Sequence, residues 1–329
     1  MKGFSVIICS YNPSEYLIDQ LLKAVLSFGF ESPPFEVIIV DNNSKRPLAE
    51  YACVSSLLSQ HNNSVLLVEP MPGLTAARLR GISAARYDWL IFFDDDNVPS
   101  PDYLHKARSF IEENPQTGVF GPGTVTVDYT TDVKPWLNNF KPLFQERKEP
   151  VTVISKSRIW EKCYPYGTGM VVLKKIAEVY KERVDNGRYT LSDRKGRSLS
   201  SGGDVQMVLT AVHEGFFAGV VAGLSLVHVI DTEKLTVNYL ERQQYGTAAA
   251  YVKAYNQVFQ ESKLAISEVS NWRIFLLIYS LFKLYWTKTS IESFRVLLAK
   301  KMGECKSAVY AYDGSLPFLL KLYERLINA

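Results

Sequence analysis

The first hundred residues alternate between short apolar runs and longer segments with helical periodicity. The runs are Phe4–Cys9, Val37–Val40, Val65–Val68 and Trp89–Phe93. Each has the length of a strand, and the lack of polar alternation is typical of strands covered on both faces. Strand-helix repeats with short connections predict parallel strands with right-handed crossovers. We therefore predict an α/β fold with a doubly wound, mostly parallel sheet flanked by helices.

Composition limits the function classes open to the chain. With 329 residues, 47% of them hydrophobic, and a net charge of +3, the chain can bury a large core and has no basic excess to indicate nucleic acid. The four cysteines are widely spaced, which argues against a zinc module or a disulfide framework. A strand starting at Phe4 leaves no room for a signal peptide, so we expect a cytoplasmic protein.

Polar residues follow three of the predicted strands at the point where each strand ends. These segments are Ser10–Asn12, Asp41–Ser44 and the acidic triplet Asp94–Asp96. Ligands of doubly wound sheets bind beyond the carboxyl ends of the strands, so one crevice should collect these groups. Three adjacent carboxylates repel one another, and a divalent cation with a phosphorylated ligand would relieve that repulsion. The alternative is a solvated acidic turn.

Three stretches of the chain resemble family 2 glycosyltransferases of the GT-A fold. They are Ser5–Asn12, Val37–Ser44 and the segment from Gly73 to the acidic triplet, and the likeness extends over roughly residues 4 to 245. It implies inverting transfer of a sugar from a nucleotide diphosphate sugar to a hydroxyl. We expect a GT-A-like catalytic domain at 1–232, with a nucleotide-binding half at 1–128 and an acceptor half at 129–232, and a helical region at 233–329.

The resemblance also implies which residues bind the donor. Asp41 would hydrogen-bond the base, Asp96 would bind Mg²⁺ or Mn²⁺, and Asp94 would lie nearer the ribose. The implied donor-binding residues are Ser10, Tyr11, Asp41, Arg78, Asp94, Asp95 and Gly169. At Gly169 the lack of bulk would let a sugar ring approach the backbone. The alternative for Tyr11 and Asp41 is a turn residue and a strand-end cap. The Asn of the family's Ala-Arg-Asn-x-Gly is replaced here by Leu79.

The later part of the catalytic region supplies the remaining candidates. Asp204 resembles the general base of inverting transfer, although Gly203 stands where the family often has a second acid. Asp204 could instead only cap its helix. His228 resembles the histidine that completes the metal site in relatives, with a core histidine as the alternative. Trp136 and Trp160 could stack on sugar rings or belong to the core.

Two other functions fit parts of the same pattern. Residues 91–98 also fit the nucleophile motif of haloacid-dehalogenase-like phosphatases, in which Asp94 would form an aspartyl phosphate. That class places the motif on its first strand, whereas two or three strand-helix units precede it here. A non-catalytic scaffold that binds sugar nucleotides is the second alternative, and the retained acidic residues argue against it.

The C-terminal region is predicted to be helical, beginning with Val237–Ala254. The Gln-x-x-Arg-Trp motif of processive synthases is absent from the sequence, so we expect one sugar per encounter, from a UDP-sugar by family frequency, to a glycan or lipid-linked acceptor. The apolar segment Ile274–Trp286 is too short to span a bilayer. We predict that residues 271–301 form a peripheral contact with the inner face of the membrane, or a homodimer interface.

Overall fold

The computed structural model describes residues 2–28, 32–191, 193, 201–264, 268–288, 290–311 and 314–327, with side chains for all but 284 and 286–288. Strands β1 to β10 span Phe4–Ser10, Phe35–Asp41, Ser64–Val68, Trp89–Phe93, Asn97–Pro99, Thr117–Tyr129, Arg147–Lys148, Val153–Ser155, Met170–Leu173 and Phe217–Ile230. Helices α1 to α10 span Glu15–Leu26, Ala52–Gln60, Leu74–Ala84, Tyr103–Glu113, Lys174–Asp185, Gly203–His213, Val237–Val258, Asn271–Lys288, Ile291–Ala311 and Phe318–Ile327. Two 3₁₀ helices lie at Leu48–Glu50 and Pro135–Phe144.

These strands form one sheet, in the order β3-β2-β1-β4-β9-β6-β10-β5, with β7 paired to β6 and β8 to β10. The first four strands in this order are parallel. Beyond β4, the pairs β4–β9, β6–β9, β5–β10 and β8–β10 are antiparallel. Parallel neighbours need crossover connections, and α1, α2 and α3 supply them between β1 and β4. The predicted α/β class is confirmed, with the parallel strands in the first hundred residues.

The centre of the sheet is covered on both faces, as the uninterrupted apolar runs predict. Every residue of β2 is buried, as are all but Cys9 in β1. Helix α1 buries one apolar face on the sheet through Leu17, Ile18, Leu21, Leu22 and Val25. Each such side chain stabilises the fold by roughly 1.5–3 kcal/mol relative to an exposed position.

The predicted single helix from Leu48 to Ser59 is instead a 3₁₀ turn followed by α2. The Asp41 carboxylate accepts the N–H of Leu48 at 2.9 Å and so holds the start of the turn against the end of β2. Tyr51, between the two helices, is extended with φ −85° and ψ 122°. A tertiary hydrogen bond and one extended residue therefore divide a segment whose local pattern indicates one helix.

The described chain forms two compact units. The first comprises Met1–Asp128, Phe144–Asn186 and Met207–Ile230, and the second comprises Tyr129–Leu143, Gly187–Gln206 and Asp231–Ala329. The borders at Asp128 and Ile230 fall beside the predicted domain boundaries. The segments at 129–143 and 187–206, predicted to belong to the catalytic domain, group instead with the C-terminal helices. The domain assignment itself stays a prediction.

The second unit is built around the packing of α7 on α9. Gly303 permits the close approach, because a Cβ at that position would lie 2.5 Å from the carbonyl oxygen of Tyr245. Helices α8 and α10 add to an apolar cluster of Tyr245, Ile274, Ala299, Met302, Leu320, Tyr323 and Ile327. Among the described residues, no helix is long and apolar enough to cross a membrane.

Gly81 offers a test of how tightly α3 packs on the sheet. A Cβ at Gly81 would lie 2.5 Å from Cγ2 of Ile7, a fully buried residue of β1. Helix propensity alone predicts that Gly81→Ala gains up to about 1 kcal/mol. We expect a loss of about 1–3 kcal/mol in the free energy of unfolding in urea, because the added methyl overpacks the contact.

Ser83→Ala is the matched control, since Ser83 lies exposed on the same helix. Its effect should stay within about 0.5 kcal/mol. Stabilisation by Gly81→Ala would contradict the close contact between α3 and β1.

Candidate functional site

The carboxyl ends of β1, β2 and β4 bring several of the predicted residues together. In the parallel registers, Ser10 lies opposite Asp41, and Ile8 lies opposite Phe93, the last residue of β4. The Ser10 hydroxyl donates a hydrogen bond of 2.5 Å to Oδ2 of Asp95. Residues more than eighty positions apart in the sequence are therefore joined at this edge of the sheet.

Asp41 is engaged with the backbone of the loop that follows it. Its Oδ1 accepts the N–H of Ser44 at 2.8 Å, and its Oδ2 accepts that of Leu48 at 2.9 Å. The side chain is 3% exposed. The strand-end cap that the sequence left as the alternative is thus present. Each carboxylate oxygen retains a second lone pair, so the cap does not preclude a hydrogen bond to a nucleobase.

Asn42, to which the sequence analysis assigned no role, holds the loop before α3. Its Nδ2 donates to the carbonyl oxygens of Glu69 and Met71 at 3.0 and 2.7 Å, and its Oδ1 accepts the N–H of Gly73 at 2.8 Å. The side chain is buried. These contacts require an amide, which both donates and accepts hydrogen bonds. In the sequence, the only sign of this role is the position of Asn42 directly after Asp41.

Tyr11 and Arg78 differ in exposure. Tyr11 is 57% exposed just beyond β1, whereas Arg78 is buried in α3 with its guanidinium carbon 5.8 Å from the centre of the Phe92 ring. Burial raises the pKa of the neighbouring Cys9 thiol to about 12; Arg78 opposes this rise, while Asp94 and Asp95 add to it. The end of β1 thus lies in the fields of one buried cation and two carboxylates.

The three adjacent carboxylates have separate hydrogen-bond donors. Asp95 accepts from Ser10, Asp94 Oδ2 faces the Thr168 hydroxyl at 3.4 Å, and Asp96 Oδ1 accepts from Asn97 Nδ2 at 2.9 Å. Asn97 is fully buried, and its Oδ1 accepts the N–H of Asp94 at 3.1 Å. The triplet is therefore an ordered turn. Thr168 and Asn97 each lie next to a motif noted in the sequence, and nothing else in the sequence indicates their contacts with the triplet.

The two predicted metal ligands, Asp96 and His228, lie close together. Oδ2 of Asp96 lies 3.3 Å from Nε2 of His228, and both side chains are buried. The pairing of β10 with β5, in which His228 lies opposite Asn97, sets this position. Nδ1 of His228 lies 2.8 Å from the carbonyl oxygen of Phe144, which can only accept, so Nδ1 carries the proton.

In the neutral imidazole with this tautomer, the lone pair of His228 Nε2 points at Oδ2 of Asp96. Two hydrogen-bond acceptors at this distance are stable when a proton or a cation lies between them. In metal-bound histidines, the ring nitrogen that does not bind the metal typically donates to a backbone carbonyl, as Nδ1 does here. Among the described residues there is no group of three or more His, Cys, Asp or Glu side chains that could hold a metal. The pair could therefore supply two ligands, with the remainder coming from donor phosphate and water.

Gly169 has a structural role that the sequence did not indicate. Its φ is +66°, and a Cβ there would lie 2.6 Å from Leu226 and 2.7 Å from the Tyr103 hydroxyl. That hydroxyl donates a hydrogen bond of 2.5 Å to the Gly169 carbonyl. Positive φ and side-chain packing thus account for glycine here, whether or not a sugar approaches its backbone.

Asp204 lies in the first turn of α6, in the second unit. The carboxylate that accepts backbone N–H groups at this helix start belongs to Asp193, which is buried and bonds Gly202 at 2.6 Å and Gly203 at 2.9 Å. The N–H groups of Gly202 and Gly203 are therefore capped by Asp193 and not by Asp204. Asp193 stood in a segment that the sequence analysis passed over without assigning it a role.

The two tryptophans considered as sugar platforms make aromatic contacts within the protein. Trp160 meets Tyr164 edge-on with ring centres 5.4 Å apart, and Trp136 meets Phe140 in the same way at 6.0 Å. Neither Trp136 nor Trp160 is fully buried. These contacts hold the rings by packing, and the role of either ring as a sugar platform stays a prediction.

Comparison with known proteins identifies the family. Residues 5–180, more than half of the chain, match the family described as Glycosyl transferase family 2. The chain belongs to this family. Its matched region includes β1 to β4 and the Asp94–Asp96 turn. The haloacid-dehalogenase-like alternative loses its support, since Asp94 follows the fourth strand of the fold and the whole matched region belongs to a transferase family.

Two curated relatives and one solved structure place this family member among known proteins. The hyaluronan synthase of Pasteurella multocida is 28% identical over 142 residues, which are 42% of this chain and 14% of that protein. Glycosyltransferase AglE of Haloferax volcanii is 35% identical over 107 residues, 32% of this chain and 34% of that protein. The matches thus cover about a third or less of each relative.

The solved structure is mannosyltransferase PcManGT from Pyrobaculum calidifontis, in complex with GDP-Man and Mn²⁺. It aligns with 98% of this chain and 78% of its own, with a TM-score of 0.51 and 14% identity. At that identity the likeness concerns the fold alone, and it confirms the GT-A-like class.

Asn42 provides a test of the loop at the candidate site. Asn42→Ala should lower the free energy of unfolding by about 2–4 kcal/mol, because two carbonyls and one N–H would lose their partner. Asn43→Gly is the matched control in the next residue. Asn43 is exposed with φ +62°, which glycine adopts freely, so its replacement should be nearly neutral. Equal stability of the two variants in urea denaturation would contradict the assigned role of Asn42.

Proposed function

We propose that the protein is an inverting, metal-dependent glycosyltransferase that moves a sugar from a nucleotide diphosphate sugar to a hydroxyl of a glycan or lipid-linked acceptor. The observation that carries the proposal is the Asp96–His228 pair, with 3.3 Å between Oδ2 and Nε2, placed where β4 leaves the sheet. Family membership supports the reaction class. We propose UDP as the nucleotide on family frequency alone.

The predicted site residues have separate parts in this proposal. Ser10, Tyr11, Asp41, Arg78, Asp94, Asp95 and Gly169 would line the donor site. Asp96 and His228 would hold Mg²⁺ or Mn²⁺, which when bound would neutralise charge on the departing diphosphate. Asn97 fixes the Asp96 carboxylate through the hydrogen bond to its Oδ1, and the Phe144 carbonyl fixes the ring of His228.

Asp204 is our proposed general base. An inverting transfer needs a carboxylate that takes the proton of the acceptor hydroxyl on the side opposite the departing nucleotide. The capping of α6 by Asp193 supports the proposal, because it supplies the start of the helix with another acceptor. We also propose that the protein is cytoplasmic and acts at the inner face of the membrane. A lipid-linked acceptor would be located there.

A thermal-shift panel of nucleotide diphosphate sugars tests the donor site. At a donor concentration of 100 times Kd with Mn²⁺ present, binding should stabilise the protein by about 2.7 kcal/mol. Asp96→Asn should remove the dependence on Mn²⁺ and leave the fold intact, since one charge of a crowded triplet is lost. Asp128→Asn, an exposed acid of the same unit, is the control and should behave as wild type.

Two results would count against the donor proposal. Undiminished Mn²⁺ dependence in Asp96→Asn would remove Asp96 from the metal site. Failure of every nucleotide sugar to stabilise the wild-type protein would contradict the donor site itself, for a transferase and for a sugar-nucleotide-binding scaffold alike.

Asp204→Asn tests the base. The amide keeps the shape of the side chain but cannot take a proton, so turnover should fall about 10²–10⁴-fold with donor affinity little changed. Asp193→Asn separates chemistry from structure, because it weakens the helix cap and should lower the melting temperature, which Asp204→Asn should leave near wild type. Near-normal turnover of Asp204→Asn, or a product that retains the anomeric configuration of the donor, would exclude an inverting base at this position.

A further inference from the structure

Helix α8 exposes a row of large apolar side chains. These are Trp272, Phe275, Leu276, Tyr279 and Phe282, each at least 46% exposed. Trp272 lies three and four residues before Phe275 and Leu276, Tyr279 lies four and three residues after them, and Phe282 follows Tyr279 by three, so all five lie on one face of the helix. Ile274 on the same helix is fully buried and belongs to the apolar cluster of the second unit. The helix is thus held to the unit by one face while its aromatic face meets solvent.

Helix α10 carries a second row of exposed apolar side chains. Phe318, Leu322 and Leu326 recur every four residues and are exposed, Leu326 by 72%. The start of α10 is tied to the start of α8, because the Leu319 N–H donates to Oδ1 of Asn271 at 3.0 Å. We call the eight exposed side chains of these two rows the apolar face. Single exposed leucines are ordinary on protein surfaces, whereas two such rows on adjoining helices indicate a binding surface.

The exposed charged side chains that α8 and α10 themselves carry all have the same sign. The sequence of α8 contains no acidic residue, and the exposed charged side chains described on α8 and α10 are Arg273, Lys283, Lys321 and Arg325. The one acid of α10, Glu324, accepts hydrogen bonds from Tyr245 and Lys306. The partner that binds this surface should therefore have an apolar interior and negative charges on its outer, water-exposed layer.

A bilayer with anionic headgroups has that chemistry. Basic side chains with long apolar stems can reach the headgroups while aromatic and aliphatic groups enter the boundary with the acyl chains. A second copy of this chain fits less well, since a two-fold contact through the same face would bring four basic side chains against four more. The helices cannot cross the bilayer, so they would lie along its surface.

We propose that the apolar face of α8 and α10 binds the surface of a membrane that contains anionic lipid. The use of this contact rests on the proposed function, because it would bring a transferase to a lipid-linked acceptor. The contact itself requires neither donor nor metal.

Sedimentation with vesicles tests the proposal on the full chain without donor. The protein should pellet with vesicles of phosphatidylcholine and phosphatidylglycerol at low salt, weakly with phosphatidylcholine alone, and less as salt screens the charges. Tyr279→Glu should lower vesicle affinity about ten-fold or more, since an apolar anchor becomes an anion. Lys321→Ser should lower it about five-fold. Tyr16→Glu, a tyrosine equally exposed on α1, is the matched control and should bind like wild type.

The outcomes separate this proposal from the others. Absence of binding to anionic vesicles, or equal affinity of Tyr279→Glu and wild type, overturns it. A dimer in analytical ultracentrifugation that Tyr279→Glu dissociates, without vesicle binding, would also overturn it and assign the face to self-association. Donor-induced thermal stabilisation, measured in parallel, should be the same in Tyr279→Glu and wild type, so loss of membrane binding is distinguishable from failure of the donor site.

Discussion

The parallel pairing of β1 with β2 and β4 is the constraint on which the candidate site depends. The register places Ser10 opposite Asp41 and ends β4 one turn before Asp96. Because the strands are apolar on both faces, a slip of one residue in β4 would draw Asp94 towards the core or an aliphatic residue out of it. The cost of burying an unpaired carboxylate therefore helps to fix the register, and the register in turn fixes where the polar groups meet.

The protein reduces the mutual repulsion of Asp94, Asp95 and Asp96 by giving each carboxylate a different neighbour. A hydroxyl faces Asp94, a hydroxyl donates to Asp95, and an amide donates to Asp96. Hydrogen bonds to the charged form stabilise it without metal, so the turn can be ordered before any ligand binds. Oδ2 of Asp96 differs from the other contacts, because it faces a histidine nitrogen, Nε2 of His228, that can take up a proton or a cation. Among these contacts, only the one between Asp96 Oδ2 and His228 Nε2 therefore requires a shared proton or cation.

Local pattern was sufficient for elements whose limits coincide with a change in polarity. The strand Trp89–Phe93 was predicted with the bounds it has, because an apolar run stops at a charge. Sequence reasoning missed Asn42, Asn97 and Asp193, since their hydrogen bonds reach loops and turns that no local periodicity reports. The reason for Gly169 was also beyond the sequence, because positive φ and the approach of Tyr103 arise only in the folded chain. The roles proposed for the site residues came from resemblance, while the structure supplies their contacts.

The second unit shows that folding alone does not account for the surface of α8 and α10. Its interior is closed by the packing of α7 on α9. The buried Glu241 accepts from Arg295 and Tyr323, and the half-buried Glu324 accepts from Tyr245 and Lys306. Ile274 and Leu320 complete that interior from the two outer helices. None of the eight side chains of the apolar face belongs to that cluster, and of these Phe282 also meets the ring of Phe294 in α9 edge-on. Apolar surface left in water adds little to the stability of the folded chain, so the presence of two exposed apolar rows is better explained by what they bind than by how the unit folds.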